Sequence, residues 1–342
     1  MSTKGPDSPV NLETPASQLR AVITPTESFF TRSHFPIPKV NVSSWRLTVD
    51  GEVRKPLRLS YSALKKMPQR AVAVTLECAG NGRKGFGIVA SGEVPWGNRA
   101  VGTALWSGVP LSDLLAASAF SPEAKQVVVE GEDEGRDPVS GERIHFARGL
   151  PIEKALDRDC LVALSMNSKT LPIVHGFPAR LIVPGWYGMA SVKWLSRISI
   201  SSDAAFNGYF SSVKYNYVTG RKVVPVTQLR VKSLLISPRE HQILKRSKPT
   251  LISGKAWSGG GPITRVEVSI NGVWTDAKFT QPLGPNGWAT WKLRWIPDEL
   301  GRNVISARAT DSSTNFQPSQ PRQNRYQYGF NAVQEVEVNV TK

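Results

Sequence analysis

An α+β region followed by an all-β sandwich of immunoglobulin-like type is the architecture that this 342-residue sequence predicts. Three observations predict it. The chain is long for one hydrophobic core and comfortable for two. Residues from about 40 to 215 mix short strand-like and helix-like stretches, without the regular alternation that a doubly wound parallel sheet requires. Near residue 219 helical periodicity stops, and short alternating strands separated by turn signals take over. The boundary therefore falls between domains 1–218 and 219–342.

Each element has its own local reason. In the first region Val72–Glu77, Val127–Glu130, Leu161–Leu164 and Leu181–Val183 are apolar runs of strand length. A short helix is expected over Leu111–Ala117, opened by Pro110 and Ser112. Another follows Pro151, with proline in the first turn and Glu153 near the N-terminus. In the second region Arg265–Ile270, Ala289–Trp295, Asn303–Ala309 and Val333–Val340 alternate as strands. Asn271-Gly272, Gly259-Gly260-Gly261 and Pro285-Asn286-Gly287 supply turns. The region lacks a cysteine pair, so its immunoglobulin-like character concerns architecture alone.

Composition excludes several classes. Hydrophobic residues at 40% and charged residues at 20% are ordinary globular proportions. No window approaches the roughly 18 apolar residues of a membrane span. The opening MSTKGPDSPVNLETP is polar and resembles no secretory or transit segment, so a cytoplasmic location and a periplasmic one after leader removal both stay open. Lys and Arg number 43 against 27 Asp and Glu, a net +16 that favours anionic partners. These charges are spread rather than blocked, so no nucleic-acid partner is expected. Two cysteines, Cys78 and Cys160, are too few for a disulfide framework or a four-thiolate zinc site.

The chemistry concentrates at Glu77-Cys78-Ala79-Gly80-Asn81-Gly82-Arg83, where a strand runs into a glycine-bearing loop with a thiol at its mouth. Glycines permit close backbone approach to a ligand, and a nearby guanidinium favours the thiolate, the form that binds metals. The competing explanation is a small apolar cysteine at a strand end.

This loop is similar to the cysteine loop of the sulfite oxidase family of molybdenum-cofactor oxidoreductases. Val101–Leu111, His175–Gly185, Val192–Leu195 and Phe30–Pro36 also resemble that family's segments, in the expected order. Ala256–Gly261 and Asp311–Pro318 resemble its dimerisation domain. The resemblance implies a sulfite oxidase-like molybdopterin domain and a β-sandwich that makes a homodimer. It makes Cys78 the only protein ligand to molybdenum, a soft sulfur suited to a metal already held by dithiolene sulfurs. It places Phe30, Thr31, Arg32, Ser33, His34, Asp133, His175, Arg180, Ser191, Val192 and Lys193 around molybdopterin. Arg180 and Lys193 suit its phosphate and Asp133 its N–H groups. Singly, each has a structural alternative, such as a turn histidine at His175 or a solvated strand lysine at Lys193.

The resemblance also implies a substrate pocket of Arg32, Arg83 and Trp96, two guanidiniums and a wall for a compact oxyanion such as sulfite. The structural alternative for Trp96 is a core tryptophan, one of ten in the chain. Two departures stand out. Phe146 aligns where the family carries a tyrosine beside the metal, and Tyr328 aligns where it carries a third substrate arginine. No Cys-x-x-Cys-His haem signature occurs, so no haem is expected and electrons go to an external acceptor such as a cytochrome. The competing activities are nitrate or sulfoxide/N-oxide reduction on the same cofactor. A basic polyanion-binding module and a cysteine nucleophile paired with His34 or His175 are the alternatives of other classes.

Overall fold

The computed structural model describes residues 8–342. Its first region is α+β but strand-dominated. The helices Tyr61–Lys66, Leu111–Ser118, Ile152–Ala155 and Tyr209–Ser212 are all short. The second and third of these lie where Pro110 and Pro151 placed them. Both prolines sit at the N-cap with extended ψ, a conformation from which the chain can turn directly into a helix.

Two five-stranded sheets build this region. One orders its strands Lys169–Thr170, Leu161–Met166, Val101–Pro110, Arg70–Glu77, with Arg180–Ile182 added against Leu161–Met166. The other runs Leu57–Ser60, Arg46–Gly51, Leu195–Ser201, Gln126–Arg136, Arg143–Pro151. Its one parallel pairing joins Arg46–Gly51 to Leu195–Ser201. Strand Arg70–Glu77 is exposed at its start but buried on both faces over its last residues. That explains its continuous apolar run and delivers Glu77 and Cys78 into the interior.

The second region is two sheets facing each other. One holds Lys232–Ser237, Thr250–Trp257, Ala289–Trp295 and Lys278–Thr280. The other holds Gln242–Lys245, Gln334–Thr341, Gly301–Asp311, Ile263–Ile270 and Val273–Asp276. Ile252, Val268, Trp291, Ile305 and Ala309 fill the space between them. Each fully buried aliphatic side chain there contributes about 1.5–3 kcal/mol.

The two regions share a seam. Trp257, Trp288 and Tyr328 of the second region belong to the core of the first, beside Leu181, Val183 and Tyr187. Trp288 Nε1 donates to Val22 O at 2.8 Å, and Thr75 N donates to Asn286 O at 2.9 Å. No helix among the described residues is long and apolar enough to cross a membrane.

Candidate functional site

The cysteine loop is fixed by its own backbone. Cys78 N donates to Ala100 O at 2.9 Å and Asn81 N to Cys78 O at 2.8 Å, closing a turn directly after the strand. Asn81 holds the loop twice more, donating to Glu77 Oε1 and accepting from Ala100 N. A Cβ at Gly80 would lie 2.6 Å from Arg83 Nη2, so a side chain there would displace the guanidinium. Cys78 is buried, 8% exposed. Burial raises its pKa, and the cations that pull it back are Arg32 first and Arg83 only afterwards. The expected control of the thiol by Arg83 is thus corrected. Desolvation dominates, and the nearer electrostatic influence is Arg32.

Cys78 opens into a narrow cleft. Phe30, Thr31, Arg32, Ser33, His34, Asp133, Phe146, His175, Arg180, Ser191, Val192 and Lys193 all line it with Cys78. Residues spread over 164 positions of sequence, from Phe30 to Lys193, are therefore brought to one wall. Their order along the chain carries no hint of this proximity.

The cleft is rich in cations that lack anionic partners. Arg180 donates only to backbone oxygens, Nε to Ser191 O at 3.2 Å and Nη1 to His175 O at 3.3 Å, with its guanidinium over Trp106. Lys193 Nζ donates to Ser33 Oγ at 2.9 Å and Val174 O at 3.4 Å. Arg32 donates to Asn11 Oδ1, Ser33 O and His34 Nδ1. Among the described residues none of the three forms a salt bridge. Asp133 is the carboxylate of the cleft. Burial pushes it up to about 7 despite Lys193, and burial likewise draws the Lys193 ammonium well down. Buried positive charge of this kind is costly unless a ligand supplies the anion. Gly176, at φ +112°, lets its loop pass Lys193, where a Cβ would come within 3.0 Å of the lysine side chain.

Burial favours the neutral form of the two histidines in the cleft. Burial first and Arg32 second hold His34 well below its usual range; burial and Arg180 bring His175 down to about 4. Arg32 is a permanent donor, so His34 Nδ1 must accept from it at 3.1 Å. Its proton then resides on Nε2 and is donated to the Tyr215 hydroxyl. The phenolic hydrogen of Tyr215 is left free to point into the cleft, whose wall Tyr215 forms.

Tyr215 changes one expectation. Phe146 lines the cleft, stacked on His34 at 5.4 Å, but the hydroxyl it was taken to remove is supplied by Tyr215 from the turn after helix Tyr209–Ser212. Its Lys214-Tyr215-Asn216 setting bears no motif; the only hint was a tyrosine at positive φ, which sequence does not reveal. Tyr328 does reach the site's outer layer. Its ring stacks on Tyr215 at 5.3 Å, with the Arg83 guanidinium 5.4 Å from its centre.

Arg83 and Trp96 are not brought to the cleft wall. Arg83 Nη2 pairs with Glu93 at 2.9 Å and Nη1 donates to Val94 O at 2.8 Å. Glu93 also holds Lys214. Trp96 is buried with Phe29, Phe30 and Cys78 behind the wall. Cys160 is free and buried, its thiol donating to Lys154 O at 3.2 Å and raised to about 12 by burial. It forms no disulfide with Cys78.

Residues 34–210 match the oxidoreductase molybdopterin-binding domain, and residues 223–340 match the Mo-co oxidoreductase dimerisation domain. Sulfite oxidase of Gallus gallus is 37% identical over 334 residues, covering 91% of this chain and 71% of that one. Mitochondrial sulfite oxidase of Mus musculus is 34% identical over 333 residues, and there the chain spans 60% of the relative's length. The crystal structure of the sulfane dehydrogenase SoxCD from Paracoccus pantotrophus superposes with a TM-score of 0.84 at 30% identity, over 99% of this chain and 86% of that one.

Proposed function

The chain belongs to the sulfite oxidase family of molybdenum-cofactor oxidoreductases, and from that premise we propose that it oxidises sulfite to sulfate and passes the electrons to an external acceptor such as a cytochrome. One observation carries the reading: a single thiol opens into a buried cleft whose cations, Arg32, Arg180 and Lys193, have no anion of their own. The donor set fits molybdopterin, a phosphate-bearing group with several N–H donors.

When bound, the cofactor supplies a metal that accepts an electron pair and exchanges an oxygen atom. The net reaction is sulfite plus water to sulfate, two protons and two electrons. Cys78 Sγ would hold the metal. Arg180, Lys193 and Ser191 would take the phosphate, with His175 and Asp133 beside the pterin. Asp133, whose carboxyl burial raises well above the usual carboxylate range, can accept when ionised or donate when protonated. Arg32 would bind a sulfite oxygen, and Tyr215, its acceptor side already engaged by His34, would donate to another. Phe30, Thr31, Ser33, Phe146 and Val192 complete the walls and limit water.

Arg83 stays off the cleft wall, its charge balanced by Glu93. That favours, as a second reading, a sulfane sulfur of the kind the Paracoccus relative is named for, which needs less cationic compensation than a dianion. We divide the chain into domains 1–218 and 219–342 and read the second as an immunoglobulin-like sandwich that joins two copies, in keeping with the dimerisation domain it matches.

Purified protein should contain molybdenum and reduce an artificial oxidant with sulfite, while failing to oxidise a reduced dye with nitrate. Cys78→Ser should remain folded, lose turnover and lose the Mo(V) electron paramagnetic resonance signal. A fully active Cys78→Ser enzyme would sink the reading, and turnover with sulfane alone would transfer it to the second substrate.

A further inference from the structure

The residue beside the proposed metal ligand is a buried carboxylate held mostly by the other domain. Glu77 is 1% exposed. Its Oε1 accepts from Asn81 Nδ2 at 2.8 Å and from Lys232 Nζ at 3.2 Å, and its Oε2 accepts from Trp257 Nε1 at 2.8 Å. Lys232 and Trp257 lie on adjacent strands of the second region, paired directly in register. Lys232 is itself 1% exposed, and its other close neighbour is the face of Phe330, 5.5 Å away. A third tie from the same region, Gly329 N to Ala79 O at 2.8 Å, grips the loop just past the cysteine.

A buried lysine next to a buried glutamate is poor evidence for stability, since well-packed apolar residues often do as well. The position argues for another purpose. Glu77 precedes Cys78, so a bare carboxylate there would place a full negative charge beside the sulfur in a low-dielectric interior, where such fields are strong. Lys232 cancels that charge. Glu77 also bridges to Asn81, which closes the cysteine turn, so the same ion pair sets the direction in which the thiol projects.

We propose that Lys232 is a positioning residue for Cys78: acting through Glu77 it fixes the cysteine loop and neutralises the carboxylate beside the sulfur, so the second domain sets the redox properties of the metal site in the first. The proposal rests on the reading of Cys78 as the molybdenum ligand. A site that gains electrons becomes more negative, so an uncompensated carboxylate nearby disfavours the reduced state, and an uncompensated ammonium favours it.

The test is an electron paramagnetic resonance-monitored redox titration of the cofactor-loaded enzyme and three variants. Lys232→Met should move the Mo(VI/V) midpoint potential to more negative values and alter the Mo(V) signal. Glu77→Gln should move the potential the opposite way, and the Glu77→Gln/Lys232→Met double variant should return close to wild type. A merely structural pair would lower the melting temperature in both single variants without giving potentials of opposite sign. Unmoved potentials, or shifts in the same direction, overturn the proposal. Should either charge variant fail to fold, Trp257→Phe, which keeps the ring and removes one donor to Glu77, should give a smaller negative shift; no shift counts against the idea. A wild-type protein without any Mo(V) signal would defeat the molybdenum reading itself, whereas a normal wild-type signal with unmoved variants defeats this proposal alone.

Discussion

The two sides of the cleft treat buried charge in opposite ways. Behind Cys78 two sets of charges are paired: Glu77 has Lys232, and Glu93 has Arg83 and Lys214. Around Lys193 and Arg180 the cations form no salt bridge among the described residues; they bond neutral oxygens and face Trp194 and Trp106, with Asp133 the one carboxylate in the cleft. Paired charges build a fixed frame, because removing one member strands the other. Unpaired charges cost the empty protein stability and return it when an anion arrives. The contrast thus separates what shapes the loop from what receives a ligand.

The contrast breaks most readily at Glu93. Glu93→Gln strands the buried Arg83 and the partly exposed Lys214 and should destabilise the fold by about 3–5 kcal/mol in denaturant titrations. A loss below about 1 kcal/mol would mean that the frame is not held by its pairs. Next comes the opposite side. Lys193→Met removes a buried cation that forms no salt bridge, so the cofactor-free protein should melt at the same temperature or higher. Cofactor retention should weaken on the order of 100-fold, as expected for a desolvated charge pair with phosphate. A variant that loses stability yet keeps its cofactor would reverse the assignment of the two sides.

The pH dependence sharpens the comparison. His175 has a folded-state pKa near 4 against 6.5 for an ordinary histidine. Between those values the unfolded chain binds a proton that the folded chain refuses. Stability from this group is therefore complete above about 6.5 and lost as pH falls toward 4, by something on the order of 3 kcal/mol. Asp133, raised to about 7, works in the opposite sense, its contribution falling as pH rises toward that value. The difference between wild type and His175→Gln isolates the first effect. Thermal midpoints at pH 7 and pH 5 should differ less in the variant, and equal differences would count against a neutral buried imidazole. The smallest effect is expected at a solvent-exposed pair of good geometry, Arg197 with Asp50 at 2.9 Å, where Arg197→Ala should cost less than about 1 kcal/mol. A larger loss there would blur the line between framework pairs and surface pairs.

Much of this molecule is legible in one dimension wherever the information is local. The run Val72–Glu77 lies within the observed strand Arg70–Glu77, and Leu111–Ala117 within the helix Leu111–Ser118. Arg265–Ile270, Ala289–Trp295 and Asn303–Ala309 all fall inside observed strands, because period-two alternation and Asn-Gly turns are read from neighbouring residues. The family motifs likewise pointed to residues that line one cleft. What escaped depends on distance along the chain. Tyr215 approaches His34 across 181 positions and has no motif around it. Glu93 sits in a loop, and nothing nearby discloses that it silences Arg83. Lys232 left a faint trace, a lone charge at the head of an apolar run, Lys232-Ser233-Leu234-Leu235-Ile236, yet such a lysine is usually solvated.

The seam at Trp257, Trp288 and Tyr328 has a consequence for how such a molecule can be rearranged. The first region has no finished interior of its own, since large aromatic rings from the second complete it. Severing the chain near residue 219 would leave a hole where those rings pack and bare apolar walls around it. The two halves are therefore not interchangeable cassettes: a recombination that brings in a foreign partner must also bring matching rings, or the recipient half arrives unable to close.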